Sequence, residues 1–306
     1  MLAGGVGAAR FLRGLRPLLD PRLVTIIVNT GDDETFFGLH VSPDIDTVTY
    51  TLAGLVHPRQ GWGRRGDSFR VLDAVGRYAK DNWFRLGDRD LGTHLYRTGA
   101  LRDRRTLSEV TSHIARSLGV PQRIVPMSDD AVRTFVSTAE AGPLPFQEYL
   151  VRGRGRGRVV DIAFRGVRQA KPAPGVLTAI RSAAAVILPP SNPLVSIGPI
   201  LALRGVRKAL RATRARIAAI SPIVGGQPVK GPLHRMLQGL GHEVSPVGVA
   251  RLYRDFVSVF VLDQVDAAYA PRIAALGMKP IVADTIMTTA GKSRALARRV
   301  LQAVEQ

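Results

Sequence analysis

Apolar and amphipathic segments alternate along much of the chain. Residues 24–28 form an apolar run in which every side chain is β-branched. Such a run is typical of a strand that is buried on both faces of a sheet. By the same pattern we predict six core strands, near Leu2 and Val24 and at residues 185–188, 217–220, 257–262 and 279–283. Helical spacing between them predicts helices at residues 11–19, 194–212, 233–240, 265–276 and 290–303.

This alternation of strands and helices indicates an α/β protein. Consecutive strands that are joined by helices favour a Rossmann-like, doubly wound parallel sheet of about six strands. We assign residues 1–41 and 171–306 to this core.

Residues 42–170 follow a different pattern and are predicted to form a mainly helical insert. Helical spacing or a plausible N-cap predicts helices at residues 46–55, 68–78, 88–96 and 106–118. Short β-like segments follow at residues 123–126, 132–138 and 159–164. The first two flank Ser128-Asp129-Asp130, which predicts a hairpin turn. We therefore expect the insert to carry a small sheet of its own.

The composition excludes several classes of protein. The chain has 306 residues, of which 45% are hydrophobic, and this is enough for a sizeable core. Because it contains no cysteine, disulfides and thiolate metal sites are excluded. No apolar run reaches the roughly 18 residues of a membrane span, and the N-terminus lacks a signal-peptide pattern. We therefore expect a cytoplasmic protein with no membrane partner.

The net charge of +19 would attract nucleic acid, but it would equally attract anionic small molecules. The arginines are scattered over the whole length, and the sequence contains no recognised nucleic-acid-binding module. The one concentrated run, residues 152–158, predicts an exposed loop, with a phosphate or nucleic-acid contact as the alternative. We expect no nucleic-acid partner.

A glycine-rich turn, Gly4-Gly5-Val6-Gly7, precedes the first predicted helix. Such a turn lets backbone N–H groups at the positive end of a helix approach a phosphate. It is not a clean dinucleotide fingerprint, because Arg10 stands where a small residue should pack and strand two ends in Asn29 instead of an acid. A nicotinamide enzyme is disfavoured, whereas binding of a nucleotide phosphate stays open. Only three residues precede the glycines, so we expect the natural start to lie upstream of Met1.

Four aspartates follow the second predicted strand: Asp32 and Asp33, then Asp44 and Asp46. In open parallel sheets, ligands bind at the carboxyl ends of the strands. Carboxylate oxygens suit a hard cation such as magnesium, and we favour that interpretation over a solvated turn followed by a helix cap. Ser191-Asn192 follows a later strand, where capping of a helix and contact with a ligand both remain open.

Seven short stretches, taken in order, resemble the 2-phospho-L-lactate transferase family of coenzyme F(420) biosynthesis, which includes bacterial phosphoenolpyruvate transferase variants. The stretches are Gly4-Gly5-Val6-Gly7, Asn29-Thr30-Gly31-Asp32-Asp33, Ser42-Pro43-Asp44-Ile45-Asp46-Thr47, Leu86-Gly87-Asp88-Arg89-Asp90, Pro126-Met127-Ser128-Asp129-Asp130, Ser191-Asn192-Pro193 and Ser221-Pro222-Ile223. No single stretch is diagnostic, but together they are specific and span nearly the full length.

The resemblance implies a Rossmann-like core with a helical insert, and it implies a reaction. Members of the family transfer a 2-phospholactyl-type group from a guanosine diphosphate conjugate to the ribityl hydroxyl of FO (7,8-didemethyl-8-hydroxy-5-deazariboflavin). They release GMP and require Mg²⁺. The product would be coenzyme F(420)-0, or its dehydro form if the group is an enolpyruvyl phosphate. The expected partners are therefore two small molecules.

The resemblance also implies an acceptor site for FO. The family's FO-binding aspartate falls on Asp46, and its FO-binding lysine falls on Arg85, which is a departure from the family pattern. Arginine keeps the positive charge but presents a planar fork instead of a point charge. Asp44 and Asp88 stand beside these positions and are predicted to contribute to the same site. Asp46 is expected to orient the attacking hydroxyl or to accept its proton, and we favour orientation because aspartate is a weak base.

The donor and metal sites follow from the same resemblance. The guanosine diphosphate is expected over four residues: Gly5, Gly7, Ser191 and Asn192. Asp33, with Asp32, is expected to hold the magnesium ion and to count with Asp46 among the catalytic residues. A bound cation would neutralise the diphosphate during attack by the alcohol.

Two other functions stay in view. One is a related nucleotide-sugar-binding regulatory protein that has a similar core and no transferase activity, and the other is a nucleic-acid-binding protein suggested by the charge alone. The pair Asp46 and Arg85, with Trp62 and Trp83 nearby to receive a flat ring, favours the transferase. A homodimer is the expected assembly, because it is the commonest one for such enzymes.

Overall fold

A computed structural model of the chain describes residues 1–79 and 83–305. Within these residues it contains fourteen β-strands and twelve α-helices. The strands are β1 (Leu2–Ala3), β2 (Thr25–Val28), β3 (Glu34–Phe36), β4 (Leu39–Val41), β5 (Arg123–Pro126), β6 (Arg133–Thr138), β7 (Gly142–Pro145), β8 (Val159–Arg165), β9 (Ala185–Leu188), β10 (Arg216–Ile220), β11 (Ile223–Val224), β12 (Gln227–Pro228), β13 (Val259–Asp263) and β14 (Lys279–Ala283). The α-helices are α1 (Gly5–Leu15), α2 (Pro43–Leu52), α3 (Arg70–Val75), α4 (Asp88–Arg102), α5 (Leu107–Ser117), α6 (Val176–Arg181), α7 (Gly198–Ala202), α8 (Val206–Ala212), α9 (Leu233–Gly239), α10 (Pro246–Tyr253), α11 (Ala270–Ala274) and α12 (Ala290–Glu305).

The core is a parallel sheet in two parts. One part has the strand order β5-β2-β1 and the other has the order β9-β10-β13-β14, all in parallel pairs. The two parts meet where β1 lies beside β9. Ile26 and Val28 pack toward α1 and α12 on one face, whereas Ile27 packs toward α6 and α8 on the other. Burial on both faces explains the continuous apolar runs of these strands. The predicted Rossmann-like α/β fold is confirmed.

The predicted hairpin of residues 123–126 and 132–138 is wrong. Strand β5 pairs in parallel with β2, with Thr25 opposite Arg123 and Val28 opposite Pro126. The core sheet therefore has seven strands in place of the predicted six. Three consecutive residues of β5 are buried, which is the pattern of a covered parallel strand. The boundaries of the core and insert, residues 42 and 170, stay a prediction.

A second sheet is antiparallel and has the order β7-β6-β8. Buried and partly exposed residues alternate along β6, as expected for a strand with one covered face. The short hairpin β3–β4 directly precedes the insert, and the insert contributes the helices α2 to α5. The arginine-rich run at residues 152–158 forms turns in which the arginine side chains are exposed, as predicted.

The remaining differences from the predicted elements have local causes. The predicted helix at residues 194–212 is interrupted, because Gly205 has φ +87° and separates α7 from α8. Helix α10 was not predicted; it begins at Pro246, after Ser245 whose hydroxyl accepts from the Gly248 N–H at 3.1 Å. The predicted helix at residues 265–276 is a 3₁₀-helix, Gln264–Tyr269, followed by α11. None of the helices in the described ranges is long and apolar enough to cross a membrane.

Candidate active site

A cavity of about 560 Å³ lies at the carboxyl ends of the parallel strands. Its volume is in the range of small-molecule sites. Eight of the ten predicted site residues line it: Gly5, Gly7, Asp32, Asp44, Asp46, Arg85, Ser191 and Asn192. Asp33 and Asp88 lie outside the lining. The stretches that follow separate strands in the sequence thus converge on one site.

The glycine-rich turn forms one wall of this cavity. Helix α1 begins at Gly5, whose φ of +71° is readily available only to glycine. A Cβ atom on Gly7 would lie 1.9 Å from the carbonyl oxygen of Pro190, so only glycine permits this approach. The Ser191 hydroxyl donates to the carbonyl oxygen of Gly4 at 2.9 Å and holds the two loops together. The turn therefore presents a helix N-terminus, which attracts anions, to the cavity.

Asn192 closes a turn instead of capping a helix, and its contact with a ligand stays a prediction. Its side-chain oxygen accepts from the backbone N–H groups of Leu194 at 2.9 Å and Val195 at 3.3 Å. Its amide nitrogen lies 3.4 Å from the sulfur of Met236. The oxygen thus closes the turn after β9, while the residue still lines the cavity.

Asp32 and Asp44 form a buried acidic pair on the cavity wall. Burial raises the pKa of Asp44 to about 6, although Asn29 Nδ2 donates to its Oδ2 at 3.0 Å and the Gly5 N–H also donates to it. Burial and then the charge of Asp44 raise the pKa of Asp32 well above its usual value. Oδ1 of Asp32 has no hydrogen-bond partner among the described residues. Two buried carboxylates with an unused oxygen are a suitable donor set for a hard cation.

Asp33 lies behind this pair. Its Oδ2 accepts from the Ser42 hydroxyl at 2.7 Å, and Nε2 of His40 lies 3.0 Å from the same oxygen. These contacts connect the loop after β2 to β4 and to the start of α2. The carboxylate is buried, and its Oδ1 has no hydrogen-bond partner in the described part of the chain. The metal-binding role of Asp33 stays a prediction.

Asp46 is fixed by a buried arginine that the sequence did not predict. Nη1 of Arg97 donates to Oδ2 of Asp46 at 3.0 Å, and Nη2 forms a shorter hydrogen bond with Oδ1. The Arg97 side chain is completely buried. A two-pronged arginine–carboxylate pair fixes both the position and the plane of the carboxylate.

Polar side chains of α2 and α4 surround this pair. Nε2 of His94 lies 3.4 Å from Oδ1 of Asp90, and its Nδ1 lies 3.8 Å from Oδ2 of Asp46. The Tyr50 hydroxyl donates to Oδ1 of Asp90 at 2.7 Å. Ligand atoms of Asp46, Asp90 and His94 lie within 4.8 Å of one another, but Arg97 already occupies both oxygens of Asp46. The spacing of Asp90, His94 and Arg97 along one helical face was the available signal.

Arg85 and Asp88 have different surroundings. The Arg85 guanidinium lies 4.2 Å from the ring centre of Phe69 at the edge of the cavity. The Asp88 carboxylate accepts from the Ser68 hydroxyl at 2.7 Å and from the N–H groups of Arg70 at 3.1 Å and Val71 at 3.0 Å. Asp88 therefore caps α3 in this structure, and its role in binding a ligand stays a prediction.

Aromatic side chains form another part of the cavity wall. Trp83 and Phe84 line the cavity, as does Trp62. Phe36 stacks on Phe84 with ring centres 3.9 Å apart, and Trp83 meets Phe36 edge-on at 5.4 Å. This packing fixes the wall and leaves an apolar surface that suits a flat ring. Phe36 and Phe84 were not predicted as site residues.

The family model described as 2-phospho-L-lactate transferase CofD matches residues 1–303. The chain belongs to this family. A phosphoenolpyruvate transferase from Streptomyces griseus is 42% identical over 311 residues, which cover 100% of this chain and 98% of the relative. A 2-phospho-L-lactate transferase from Methanosarcina mazei is 38% identical over 303 residues and 99% of both chains. The expected resemblance is thus confirmed, and the chain is a CofD-family transferase of coenzyme F(420) biosynthesis.

A solved structure supports the fold independently. A member of the UPF0052 family from Bacillus halodurans superposes with a TM-score of 0.68, covering 98% of this chain and 97% of that protein. Its sequence identity is 17%, so the similarity concerns the fold alone.

Proposed function

We propose that this CofD-family protein transfers a 2-phospholactyl or enolpyruvyl-phosphate group from a guanosine diphosphate conjugate to the ribityl hydroxyl of FO. The observation that carries the proposal is the single cavity, which joins a helix N-terminus, a buried acidic pair and an aromatic wall. These three features suit a diphosphate, a divalent cation and a planar deazaflavin, respectively. The product would be coenzyme F(420)-0 or its dehydro form.

The reaction is a substitution at phosphorus. The ribityl oxygen forms a bond to the phosphorus atom that carries the acid, and the bond from that phosphorus to the oxygen of GMP breaks. GMP leaves with the bridging oxygen, and the hydroxyl proton is released. The protein has to align the hydroxyl with the leaving group and balance the negative charge on the diphosphate.

Asp32 and Asp44 are the residues that would hold Mg²⁺. Both offer carboxylate oxygens on the cavity wall, and Oδ1 of Asp32 has no hydrogen-bond partner within residues 1–79 and 83–305. The Asp44 carboxylate accepts from the Gly5 N–H, so the helix N-terminus already holds one negative charge. A diphosphate beside it would be repelled by Asp44 unless a cation screened the two anions. When bound, the cation would supply this neutralisation of charge.

Asp33 is proposed to support this site from behind. Its contacts with Ser42 and His40 hold the acidic loop against β4 and α2. Asp33→Asn should lower the transfer rate sharply whether Asp33 binds the cation or positions the loop. If the affinity for Mg²⁺ also falls, Asp33 is a ligand; if only the rate falls, it is a positioning residue.

Asp46 is proposed to orient the ribityl hydroxyl of FO. Arg97 fixes the plane of the carboxylate, and each oxygen keeps a second lone pair that can accept a hydrogen bond from a hydroxyl in one fixed direction. Such an arrangement favours orientation of the nucleophile over full removal of its proton. Arg85 would contact FO at the cavity edge, while Trp83 and Phe84 would pack on the deazaflavin ring. Asp88 would contribute to FO binding indirectly, because it caps α3 next to Phe69, on which Arg85 stacks.

The donor is proposed to lie over Gly5, Gly7, Ser191 and Asn192. The contact between Gly7 and Pro190 brings the loop after β9 against the start of α1, so both segments face the same part of the cavity. The amide nitrogen of Asn192 and backbone N–H groups are the donors available for a guanosine diphosphate there.

Fluorescence titration of FO, with GDP binding measured in parallel, tests this assignment of the two substrates. Asp46→Ala should weaken FO binding and lower the rate constant while GDP affinity stays unchanged. Asp103→Ala, which removes an exposed carboxylate at the end of α4, is the matched control and should change neither. Loss of GDP affinity with intact FO binding in Asp46→Ala would invert the assignment of the two halves of the cavity.

A further inference from the structure

Two basic side chains of the cavity have no role in the account so far. Arg10 projects from the second turn of α1, and Lys230 lies between β12 and α9. The two come from distant parts of the sequence but line the same cavity. Loss of water around the ammonium group lowers the pKa of Lys230, and the charge of Arg10 lowers it further. The two cations are therefore near enough to repel each other.

No carboxylate in residues 1–79 and 83–305 compensates this pair. Neither Arg10 nor Lys230 forms a salt bridge with any described acidic residue. The Lys230 ammonium donates to the carbonyl oxygen of Gln60 at 3.1 Å, which is a neutral partner. Two neighbouring cations without an anion are unfavourable, and a bound anion would remove this cost.

The contact with Gln60 also places Lys230 relative to the glycine-rich turn. Gly61, the next residue, packs so closely on Val6 that an added Cβ would lie 2.6 Å from Cγ1 of Val6. The segment that carries Gln60 thus rests on the start of α1, and Lys230 is attached to that segment. Arg10, Lys230 and the N-terminus of α1 consequently surround one region of the cavity. All three attract negative charge.

We infer that Arg10 and Lys230 form an anion subsite of the cavity, which binds the phosphate groups or the acid carboxylate of the donor. The identity of that anion rests on the proposed function, whereas the existence of the subsite does not. Phosphate and carboxylate are both recognised by arginine and lysine, so the chemistry of the pair suits either end of the conjugate. Asp32 and Asp44 would then hold a cation, and that cation would contact the same anion.

Binding of four ligands to Arg10→Gln, Lys230→Met and the double variant tests the inference. Pyrophosphate carries neither guanosine nor an acid, GMP and GDP differ by one phosphate, and the intact conjugate adds the carboxylate. Titration calorimetry in Mg²⁺ should show that each single variant binds pyrophosphate and GDP about ten- to hundredfold more weakly than the native protein. Lys208→Met, which removes an exposed charge on α8, is the control and should bind all four ligands normally.

The ligands distinguish the two sources of negative charge. Weaker binding of pyrophosphate and GDP supports a phosphate subsite, whereas weaker binding of the conjugate alone supports a carboxylate subsite. Native affinity of the variants for all four ligands would overturn the inference, as would a native protein that binds none of them. If the variants lose pyrophosphate but the native protein transfers nothing to FO, the subsite stands and the proposed function fails.

Discussion

Replacement of Asp44 by asparagine should stabilise the metal-free protein at neutral pH. Burial raises the pKa of Asp44 from 3.8 to about 6, so the folded protein binds this proton more tightly than the unfolded chain does. The protonated Asp44 does not destabilise the folded protein at low pH. As the pH rises from about 3.8 to about 6, the free energy of unfolding falls, because the unfolded chain loses this proton first. At pH 7 the ionised Asp44 therefore lowers the free energy of unfolding by about 3 kcal/mol. Asparagine keeps an oxygen for Asn29 and Gly5 but carries no charge.

Urea unfolding from pH 4 to pH 8 measures this cost. Without metal, Asp44→Asn should gain up to about 3 kcal/mol over the native protein at pH 7, and this difference should vanish toward pH 4. Added Mg²⁺ should stabilise the native protein at pH 7 and leave the variant nearly unchanged, because a cation that binds only the folded state shifts its stability. Asp103→Asn serves as the exposed control. Parallel pH curves for the native protein and Asp44→Asn, or equal stabilisation of both by Mg²⁺, would refute the reasoning.

Three further substitutions test other parts of the site. Arg97→Met should lower the free energy of unfolding by about 3–5 kcal/mol in urea, because it leaves the Asp46 carboxylate buried without its partner; native stability would contradict this. Gly7→Ala should lower the melting temperature and weaken GDP binding, since its Cβ would collide with the Pro190 carbonyl; an unchanged calorimetric profile and GDP affinity would show that the two loops move apart easily. Arg85→Lys should change FO affinity only mildly, as it restores the residue of the family pattern, and a large loss in fluorescence titration would mean that the stacking of arginine on Phe69 is essential.

The core sheet could be predicted because its strands carry an unambiguous local signal. Runs such as residues 24–28 are β-branched at every position, and the helices between them are marked by spacing and caps. Strand β5 was assigned to the wrong sheet because Ser128-Asp129-Asp130 resembles a hairpin turn. Its true partner, β2, lies about one hundred residues earlier, and no local pattern encodes so distant a pairing.

In the site as well, features with a local sequence pattern were predictable, whereas long-range contacts were not. Asp32 and Ser191 follow the parallel strands β2 and β9, and parallel strands bring their carboxyl ends to one edge, so their convergence was predictable. Arg97 reaches Asp46, and Lys230 reaches the cavity, only through tertiary packing of α4 and of the segment before α9. The spacing of Asp90, His94 and Arg97 places them on one helical face, but the partners Asp46 and Gln60 lie far away in the sequence and cannot be identified from it. Likewise, the sequence does not distinguish a carboxylate that caps a helix, as Asp88 does, from one that faces a ligand.

The central claim is that one cavity brings a guanosine diphosphate conjugate and FO together for transfer. Mass spectrometry of the products tests it directly, with purified protein, Mg²⁺, FO and conjugates of lactate, enolpyruvate or glycerate supplied one at a time. The account predicts that at least one conjugate yields FO carrying the corresponding phospho-acid, with one GMP released per product and no reaction when Mg²⁺ or FO is omitted. Release of GMP without an FO adduct, or no reaction with any of the three conjugates, would contradict it.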